Sequence, residues 1–238
     1  MNTILWLHGF PLSSRIFARQ RAILAAHFMP DLPGFGNAPP SADEMSMEAY
    51  ARGAMAKVPA RRFIVAGLSM GGYVALAAAR LAPERVTGLI LIDTRETADN
   101  DEQRMGRYAS IEKVKAANDV KPVVDAMLPK MLTANAPASL VDEARNIMSS
   151  SSTQGVSAAL DAMARRPDST DLLPTLNVPA LVIVGAEDAI TPPSDSERMA
   201  RALPNAQLVK IANAAHLSCM EQPDEFNRIV DAWLQNQR

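Results

Sequence analysis

The chain has 238 residues, of which 48% are hydrophobic and 21% charged, and its formal net charge is −2. This length suits one sizeable domain with a buried core, with or without an insertion. The near-neutral charge gives no reason to expect nucleic acid or an anionic membrane as a partner, and no apolar run approaches the roughly 20 residues that span a bilayer.

The residues also predict a cellular compartment. The single cysteine, Cys219, excludes an intramolecular disulfide and a cysteine-based zinc cluster, which fits a reducing environment. The chain passes from Met1-Asn2-Thr3 directly into an apolar stretch, without the basic segment and small-residue cleavage site of a secretory signal. We therefore expect a cytoplasmic protein.

The first sixty residues predict strands alternating with helices. The continuous apolar run from Thr3 to Leu7 is typical of a strand buried on both faces of a parallel sheet, and it ends in the turn His8-Gly9-Phe10-Pro11. An amphipathic helix over 13–26, a short strand at 28–29, a Pro/Gly-rich turn and a helix over 45–57 follow. We expect His8 and Asp31 to brace loops by hydrogen bonds, and His27 to be a surface or packing residue.

The most informative stretch runs from Arg62 to Leu76. A β-branched run over 63–66 predicts a buried strand, the pattern G-x-S-x-G occupies 67–71, and an Ala- and Leu-rich helix covers 73–81. A strand that turns into a helix within one residue strains the corner residue, and its neighbours must lack side chains so that the two arms can pass. The pattern predicts that Ser69 is a nucleophile at the corner, with the Met70 N–H at the helix N-terminus facing a developing oxyanion.

The second half predicts a helical insertion in the same domain. A strand over 87–92 ends at Asp93, and the alternation then stops until about residue 172, with predicted helices over 101–117, 120–132, 138–148 and 153–165. We interpret 95–172 as a cap over the sheet, and 1–94 with 173–238 as the core, because the strand pattern resumes directly after the insertion. It resumes with strands over 179–185 and 206–211 and helices over 194–203 and 222–237.

Three polar residues follow predicted strands and can meet Ser69. Parallel sheets bring the carboxyl ends of their strands to one edge, so Asp93, Asp188 and His216 can converge there. A serine is a poor nucleophile until a histidine takes its proton, and a buried carboxylate orients that histidine. His216 is the candidate base, and Asp93 and Asp188 are alternative acids.

Six motifs run nearly from end to end of the chain: HGFP (8–11), DLPGFG (31–36), GLSMGG (67–72), PERV (83–86), GAEDAITP (185–192) and AAHLSCMEQPDEF (214–226). Through these motifs the chain resembles the α/β-hydrolase superfamily, particularly its compact bacterial esterases and enol-lactonases. The resemblance implies an α/β-hydrolase fold with Ser69 as nucleophile, Asp188 as acid, His216 as base, and the backbone N–H groups of Phe10 and Met70 as the oxyanion hole. No cofactor and no metal are implied.

The chain departs from the family pattern at its beginning. Family members usually start with an antiparallel hairpin before the HG strand, and here only two residues precede that strand. The mainly parallel sheet is therefore expected to have about six strands, with the Phe28–Met29 strand at an edge. An exposed edge favours association, so a homodimer contact could shield it.

Several activities share this set of residues. The first hypothesis is a carboxylesterase acting on small to medium, largely apolar esters; an enol-lactone hydrolase and a C–C bond hydrolase of aromatic ring-cleavage products are the alternatives. A non-catalytic binding protein on this fold is disfavoured, because such proteins commonly lose a triad member and all three are present. The cap arginines and lysine that could bind a charged substrate are expected on solvated faces: Arg107, Lys113, Arg165 and Arg166.

The predicted cap also suggests the character of the pocket. Methionine packs adaptably and fills irregular space, so a small, tolerant, apolar pocket is expected. At least half of the cap side chains in question are expected simply to join the cap to the sheet: Met127, Leu128, Met131, Leu132, Met148 and Met163.

Overall fold

The computed structural model describes residues 3–20 and 27–237. The strands in these ranges are β1 (Ile4–Leu7), β2 (His27–Phe28), β3 (Phe63–Leu68), β4 (Val86–Ile92), β5 (Ala180–Gly185) and β6 (Ala206–Ile211). The α-helices are α1 (Met47–Ala56), α2 (Met70–Leu81), α3 (Asp101–Ala117), α4 (Lys121–Met127), α5 (Ala138–Ser149), α6 (Thr153–Ala164), α7 (Pro193–Ala202), α8 (Ser218–Glu221) and α9 (Pro223–Gln235). Short 3₁₀ turns lie at Ser14–Phe17, Leu128–Lys130 and Leu173–Thr175.

The six strands of the described residues form one parallel sheet in the order β2-β1-β3-β4-β5-β6. Strands β1, β3 and β5 are buried along their whole length, as expected for apolar runs covered by helices on both faces. The α/β class and the sheet of about six strands are thus confirmed, and β2 is an edge strand as predicted. Because every strand is parallel, the carboxyl ends of β3, β4, β5 and β6 lie side by side at one edge.

The predicted helix over 13–26 is wrong in its described part. Only Ser14–Phe17 forms a 3₁₀ turn, which Ser13 caps by accepting a hydrogen bond from the Arg15 N–H. The Ser14 N–H donates to the Asp31 carboxylate at 2.8 Å, so the first N–H of this turn is bonded to a side chain from a distant loop. Residues 21–26, which include the predicted apolar positions Ile23 and Leu24, lie outside the described residues.

Helices α3 to α6 follow β4 and precede β5, at the place predicted for a cap, and we call this segment, residues 95–172, the cap after that prediction. Helix α3 has the predicted bounds, but the single helix predicted over 120–132 is interrupted. It continues as α4 only to Met127, and a 3₁₀ turn over Leu128–Lys130 replaces its end. Pro129 explains the interruption, because a proline has no N–H for the helical bond and its ring obstructs the preceding turn.

Across the described ranges, we find no helix that combines the length and the apolar character needed to cross a membrane.

Candidate active site

Ser69 is the single residue between β3 and α2, and its backbone is strained. Its φ of 54° and ψ of −117° lie outside the regions that L-residues favour. The turn depends on its glycines: a Cβ on Gly67 would collide with the Gly71 carbonyl group, and one on Gly71 would collide with the Leu7 carbonyl oxygen. The local sequence therefore produces the strained corner that the spacing predicted.

Neighbouring backbone and side-chain groups hold this strained residue in place. The Ser69 N–H donates to the Ile92 carbonyl at 2.9 Å, which extends the pairing of β3 with β4. The Thr94 hydroxyl donates to the Ser69 carbonyl at 2.7 Å. Ser69 itself is only 9% exposed, so its side chain lies beneath the surface.

His216 and Asp188 form a buried pair at the same edge of the sheet. His216 lies in the loop after β6, and its Nδ1 is 2.8 Å from Asp188 Oδ2. Both side chains are almost fully buried. Among the described residues, His216 Nε2 has no hydrogen-bond partner, so the second nitrogen of the ring is available to a serine hydroxyl or a substrate.

Asp188 is held in its ionised form. The N–H groups of Ile190 and Thr191 donate to Oδ1 at 2.8 and 3.1 Å, and the Thr191 hydroxyl donates to Oδ2 at 2.7 Å. Burial would raise the pKa of Asp188, but the attraction of His216 and the hydrogen bonds from His216 and Thr191 outweigh it and keep this pKa below its ordinary value. An ionised carboxylate against Nδ1 fixes the tautomer in which Nε2 can accept a proton.

Asp93, the alternative acid, has other partners. Its Oδ1 accepts a hydrogen bond from the Gly185 N–H at 2.8 Å, and its Oδ2 accepts one from the Ser218 hydroxyl at 2.6 Å. Burial, followed by the negative charge of Asp188, raises the pKa of Asp93 to about 7. The structure thus separates the two candidate acids, because only Asp188 is hydrogen-bonded to the histidine ring.

The two residues predicted to supply oxyanion-hole amides, Phe10 and Met70, both lie on segments that pass next to Ser69. Met70 is the first residue of α2, where the N–H groups have no intrahelical partner. Within the described ranges, the Phe10 N–H has no hydrogen-bond acceptor. A Cβ built on Gly9 would lie 3.1 Å from the Ser69 Cβ, so the segment that carries Phe10 passes directly beside the serine.

His8 supports that segment, as predicted. Its Nδ1–H donates to the Gly9 carbonyl at 2.9 Å, and its Nε2 accepts from the Leu32 N–H at 3.0 Å. Burial lowers the pKa of His8 to about 4, so the ring is neutral and is already occupied on both nitrogens. Asp31 also braces a loop, since it accepts hydrogen bonds from the Ser14 and Asn37 N–H groups.

The third histidine, His27, lies in β2 and accepts a hydrogen bond from the Trp6 indole N–H at 2.7 Å. This contact agrees with its predicted packing role.

A groove of about 230 Å³ is lined by Phe10 and by residues of three helices that follow β4. Helices α3, α4 and α6 form its walls, which are mainly apolar: Gln103, Gly106, Arg107, Ser110, Val123, Ala126, Met127 and Leu160. Of the six apolar cap side chains predicted for the pocket, Met127 lines this groove. Met131 and Met148 have no exposed surface and belong to the core, which agrees with the expectation that many of the six join the cap to the sheet.

The prediction that all four cap cations are solvated is wrong for Arg166. Its guanidinium lies 4.1 Å from the centre of the Tyr73 ring and forms a 2.8 Å ion pair with Asp99, whose side chain is fully buried. Arg107 pairs with the same carboxylate and is only 18% exposed. Lys113 and Arg165 are exposed as predicted. Sequence reasoning missed the burial because Asp99 lies 67 positions before Arg166, with no local pattern to connect them.

The described residues contain no cluster of three or more His, Cys, Asp or Glu side chains able to hold a metal ion.

Known proteins are similar to this chain in sequence. A sequence model of the group described as "Alpha/beta hydrolase family" matches residues 4–229. The chain is 30% identical to a pimeloyl-[acyl-carrier protein] methyl ester esterase of Neisseria meningitidis serogroup A. The alignment extends over 231 residues and covers 92% of this chain and 72% of the relative.

Solved structures are similar over almost the whole chain. A thermophilic esterase from Thermogutta terrifontis superposes with a TM-score of 0.92 at 37% identity, covering 99% of this chain and 90% of the other. An enol-lactonase from Burkholderia xenovorans superposes with a TM-score of 0.86 at 25% identity, covering 98% of this chain and 91% of the other.

Proposed function

Because this chain belongs to the α/β-hydrolase family and is a hydrolase, we propose that it cleaves small to medium, largely apolar carboxylic esters through an acyl-enzyme intermediate. The proposal rests on the buried pair of His216 and ionised Asp188, which lies at the same edge of the sheet as the strained residue Ser69. In this proposal Ser69 is the nucleophile, His216 the general base and Asp188 the acid that orients it.

Acylation uses the serine, the histidine and the two amides in an addition step and a collapse step. The Ser69 hydroxyl oxygen attacks the ester carbonyl carbon while His216 Nε2 takes its proton. The oxygen of the tetrahedral intermediate carries the negative charge and accepts hydrogen bonds from the Phe10 and Met70 N–H groups. The intermediate then collapses, the carbon–oxygen bond to the alcohol breaks, and His216 returns the proton to the departing oxygen.

Deacylation repeats the sequence with water. His216 takes a proton from a water molecule whose oxygen attacks the acyl carbon, and the same two amides bind the second oxyanion. Collapse breaks the bond to the Ser69 oxygen, which regains its proton from His216, and the carboxylic acid leaves.

The groove supports apolar substrates of limited length. It opens beside Phe10, and its apolar walls would bury the hydrocarbon part of an ester at about 0.8 kcal/mol for each methylene that remains covered. A groove of this size accommodates a short chain and leaves a long one partly in water.

Turnover of p-nitrophenyl acetate by the purified protein tests the proposal. We expect saturable hydrolysis, a burst of p-nitrophenol under pre-steady-state conditions, and an acetyl group on Ser69 by mass spectrometry. Ser196→Ala is the matched control, because Ser196 is a buried serine as well and its hydroxyl has no partner among the described residues. Ser196→Ala should keep the wild-type rate, and hydrolysis that persists in Ser69→Ala would contradict the proposal.

Enol-lactone hydrolysis is the second candidate, favoured by the similarity to the Burkholderia enol-lactonase. The same residues would open the ring, with the leaving enolate remaining attached to the acyl group. A substrate panel distinguishes the candidates: p-nitrophenyl esters, an enol-lactone, and the methyl ester of a pimeloyl group on acyl-carrier protein, which the name of the Neisseria relative suggests. The largest kcat/KM in this panel identifies the preferred bond.

A further inference from the structure

Asp93 is a buried carboxylate that the proposed reaction does not use. It follows the last residue of β4 with a φ of 45°, a left-handed conformation that aspartate tolerates better than most residues. Its N–H donates to the Ile183 carbonyl at 2.9 Å, so its backbone is fixed to β5. The side chain has no exposed surface.

The two oxygens of this carboxylate bind two different loops. Oδ1 accepts from the N–H of Gly185, the last residue of β5, three residues before Asp188. Oδ2 accepts from the hydroxyl of Ser218 at 2.6 Å and from its N–H at 3.4 Å, two residues after His216. Asp93 therefore contacts both loops that carry the acid and the base.

The two loops also pack directly against each other. A Cβ on Gly185 would collide with the Ala215 carbonyl oxygen, so the residue next to His216 lies against the end of β5. The Glu187 N–H donates to the Ala214 carbonyl at 2.9 Å. A shift of either loop would change the 2.8 Å contact between Asp188 and His216, because short connections join each residue to this junction.

We propose that Asp93 is a positioning residue, whose carboxylate fastens the Asp188 loop to the His216 loop and so sets the geometry of the hydrogen bond between them. The inference rests on the proposed function of that pair. Asp93 acts through Gly185 and Ser218 and does not touch the reacting atoms.

The electrostatic surroundings of Asp93 support a role beyond packing. The charged and titratable groups that act on it are Asp188 on the β5 loop, His216 on the β6 loop and the buried Cys219 thiol on α8. Burial and the Asp188 charge oppose the ionised form, while three donated hydrogen bonds and His216 favour it. Apolar side chains could fill the same space without placing a second carboxylate beside Asp188.

The test compares variants that remove different parts of this connection. Ser218→Ala removes one hydrogen bond, Asp93→Asn keeps an acceptor for Gly185, and Asp93→Ala removes both connections. Ser196→Ala again serves as the control for loss of a buried hydroxyl. The kinetic readouts are KM and kcat per reactive serine, where reactive serines are counted by modification of Ser69 with diethyl p-nitrophenyl phosphate. The structural readout is the downfield proton NMR signal of the His216 ring N–H.

For Ser218→Ala we expect kcat per reactive serine to fall about tenfold, while KM stays within about twofold of the wild-type value. The reason is that displacement of a catalytic group by about 1 Å can reduce a rate by up to about a hundredfold. Asp93→Ala should lose more than Asp93→Asn, and Ser196→Ala should lose nothing. The His216 signal should broaden or shift in the variants that lose kcat. A purely structural role would lower the number of reactive serines and leave kcat per reactive serine unchanged.

Wild-type kcat per reactive serine and an unchanged His216 signal in Ser218→Ala and Asp93→Asn would overturn the inference. If wild-type Ser69 does not react with the phosphate ester, the proposed function fails, and the NMR signal still tests whether Asp93 holds the histidine. The two failures are therefore distinguishable.

Discussion

The carboxyl edge of the sheet and the cap groove differ in how closely they are packed. At the sheet edge, a single added carbon on Gly67, Gly71 or Gly185 would collide with backbone atoms. In the groove, a Cβ on Gly106 would meet no atom within 4 Å, although Gly106 lies within α3. The first region leaves no freedom to the proposed catalytic groups, whereas the second has room for a larger side chain.

The two regions are connected by hydrogen bonds around one side chain. Glu221 accepts from the Thr133 N–H and hydroxyl at 2.8 and 2.7 Å on the cap, and from the Ala215 N–H at 2.7 Å beside His216. The Leu217 N–H also donates to the Met131 carbonyl at 3.0 Å. The part of the cap around Met131 and Thr133 is thus fixed to the histidine loop. We therefore expect substitutions at the sheet edge to change kcat and substitutions in the groove to change selectivity.

The largest expected effect comes from removing the nucleophile or its base. Ser69→Ala and His216→Ala should each lower kcat by roughly 10⁴- to 10⁶-fold, and the double variant should lose little more, because triad members act as a unit. Steady-state kinetics on p-nitrophenyl acetate measures this. A Ser69→Ala variant that keeps more than about a tenth of the wild-type rate would remove Ser69 from the mechanism. EDTA should leave the wild-type rate unchanged.

The two aspartates should differ by orders of magnitude. Asp188→Asn should lower kcat by about 10⁴-fold, because an amide against Nδ1 favours the wrong tautomer of His216. Asp93→Asn should lower it about tenfold or less, since Asp93 positions the pair without touching the ring. The comparison needs kcat for both variants under the same conditions. The opposite order would mean that Asp93 is the acid.

Much of the sheet edge could be predicted from sequence because its signals are local. The glycines around Ser69, the apolar runs of the strands and the chain order of Ser69, Asp188 and His216 all lie in short motifs. The choice between Asp93 and Asp188 could not be made from strand positions alone, since both follow a strand of the same sheet. It depends on which carboxylate reaches the ring, and that is a tertiary contact.

The cap was predicted less completely for the same physical reason. Its helices follow from periodicity, and α3 has the predicted bounds. The burial of Arg166 depends on Asp99 and Tyr73, which are distant in sequence and become neighbours only when the cap packs on α2. Of the apolar side chains, the sequence could not indicate that Met127 would face the groove while Met131 and Met148 would be in the core.

A smaller effect should appear when the groove is narrowed. For the wild type, kcat/KM on p-nitrophenyl esters should peak between acetate and hexanoate and fall about tenfold or more at dodecanoate, since methylenes gain only where they are buried. Gly106→Leu should lower the ratio of hexanoate to acetate turnover about tenfold and leave acetate nearly unchanged. A wild-type profile that still rises at dodecanoate would contradict the short groove.

Gly53 provides a matched control for Gly106. It also lies within a helix, α1, and a Cβ there would meet no atom within 4 Å, but it does not line the groove. Leucine at either position should stabilise its helix by about 0.8 kcal/mol, because glycine is a poor helix former. Only Gly106→Leu should change the ester profile, and an equal change in Gly53→Leu would mean that helix stability, not groove width, sets selectivity.

The smallest expected effect is a pH dependence of stability that originates at Asp93. Its pKa is raised from 3.8 to about 7, so between these values the folded protein keeps a proton that the unfolded chain has released. The stability that Asp93 contributes is thus fully present below about pH 4 and is lost as the pH rises towards 7. At about 1.4 kcal/mol per pKa unit, Asp93→Asn should gain roughly 2 kcal/mol relative to wild type between pH 5 and pH 8.

Calorimetry at the two pH values measures this as a gain in Tm of about 5 °C for Asp93→Asn relative to wild type, since 1 kcal/mol corresponds to about 2–4 °C in a chain of this size.

Asp31→Asn is the control. Burial opposes ionisation of Asp31, but hydrogen bonds from the Asn37 and Ser14 N–H groups outweigh it and lower its pKa, so its contribution is lost only below its ordinary titration range. Its difference from wild type should therefore be the same at pH 5 and pH 8. A constant difference for Asp93→Asn as well would mean that Asp93 is ionised throughout this range, so that the carboxylate fastens the two loops without a stability penalty near neutral pH.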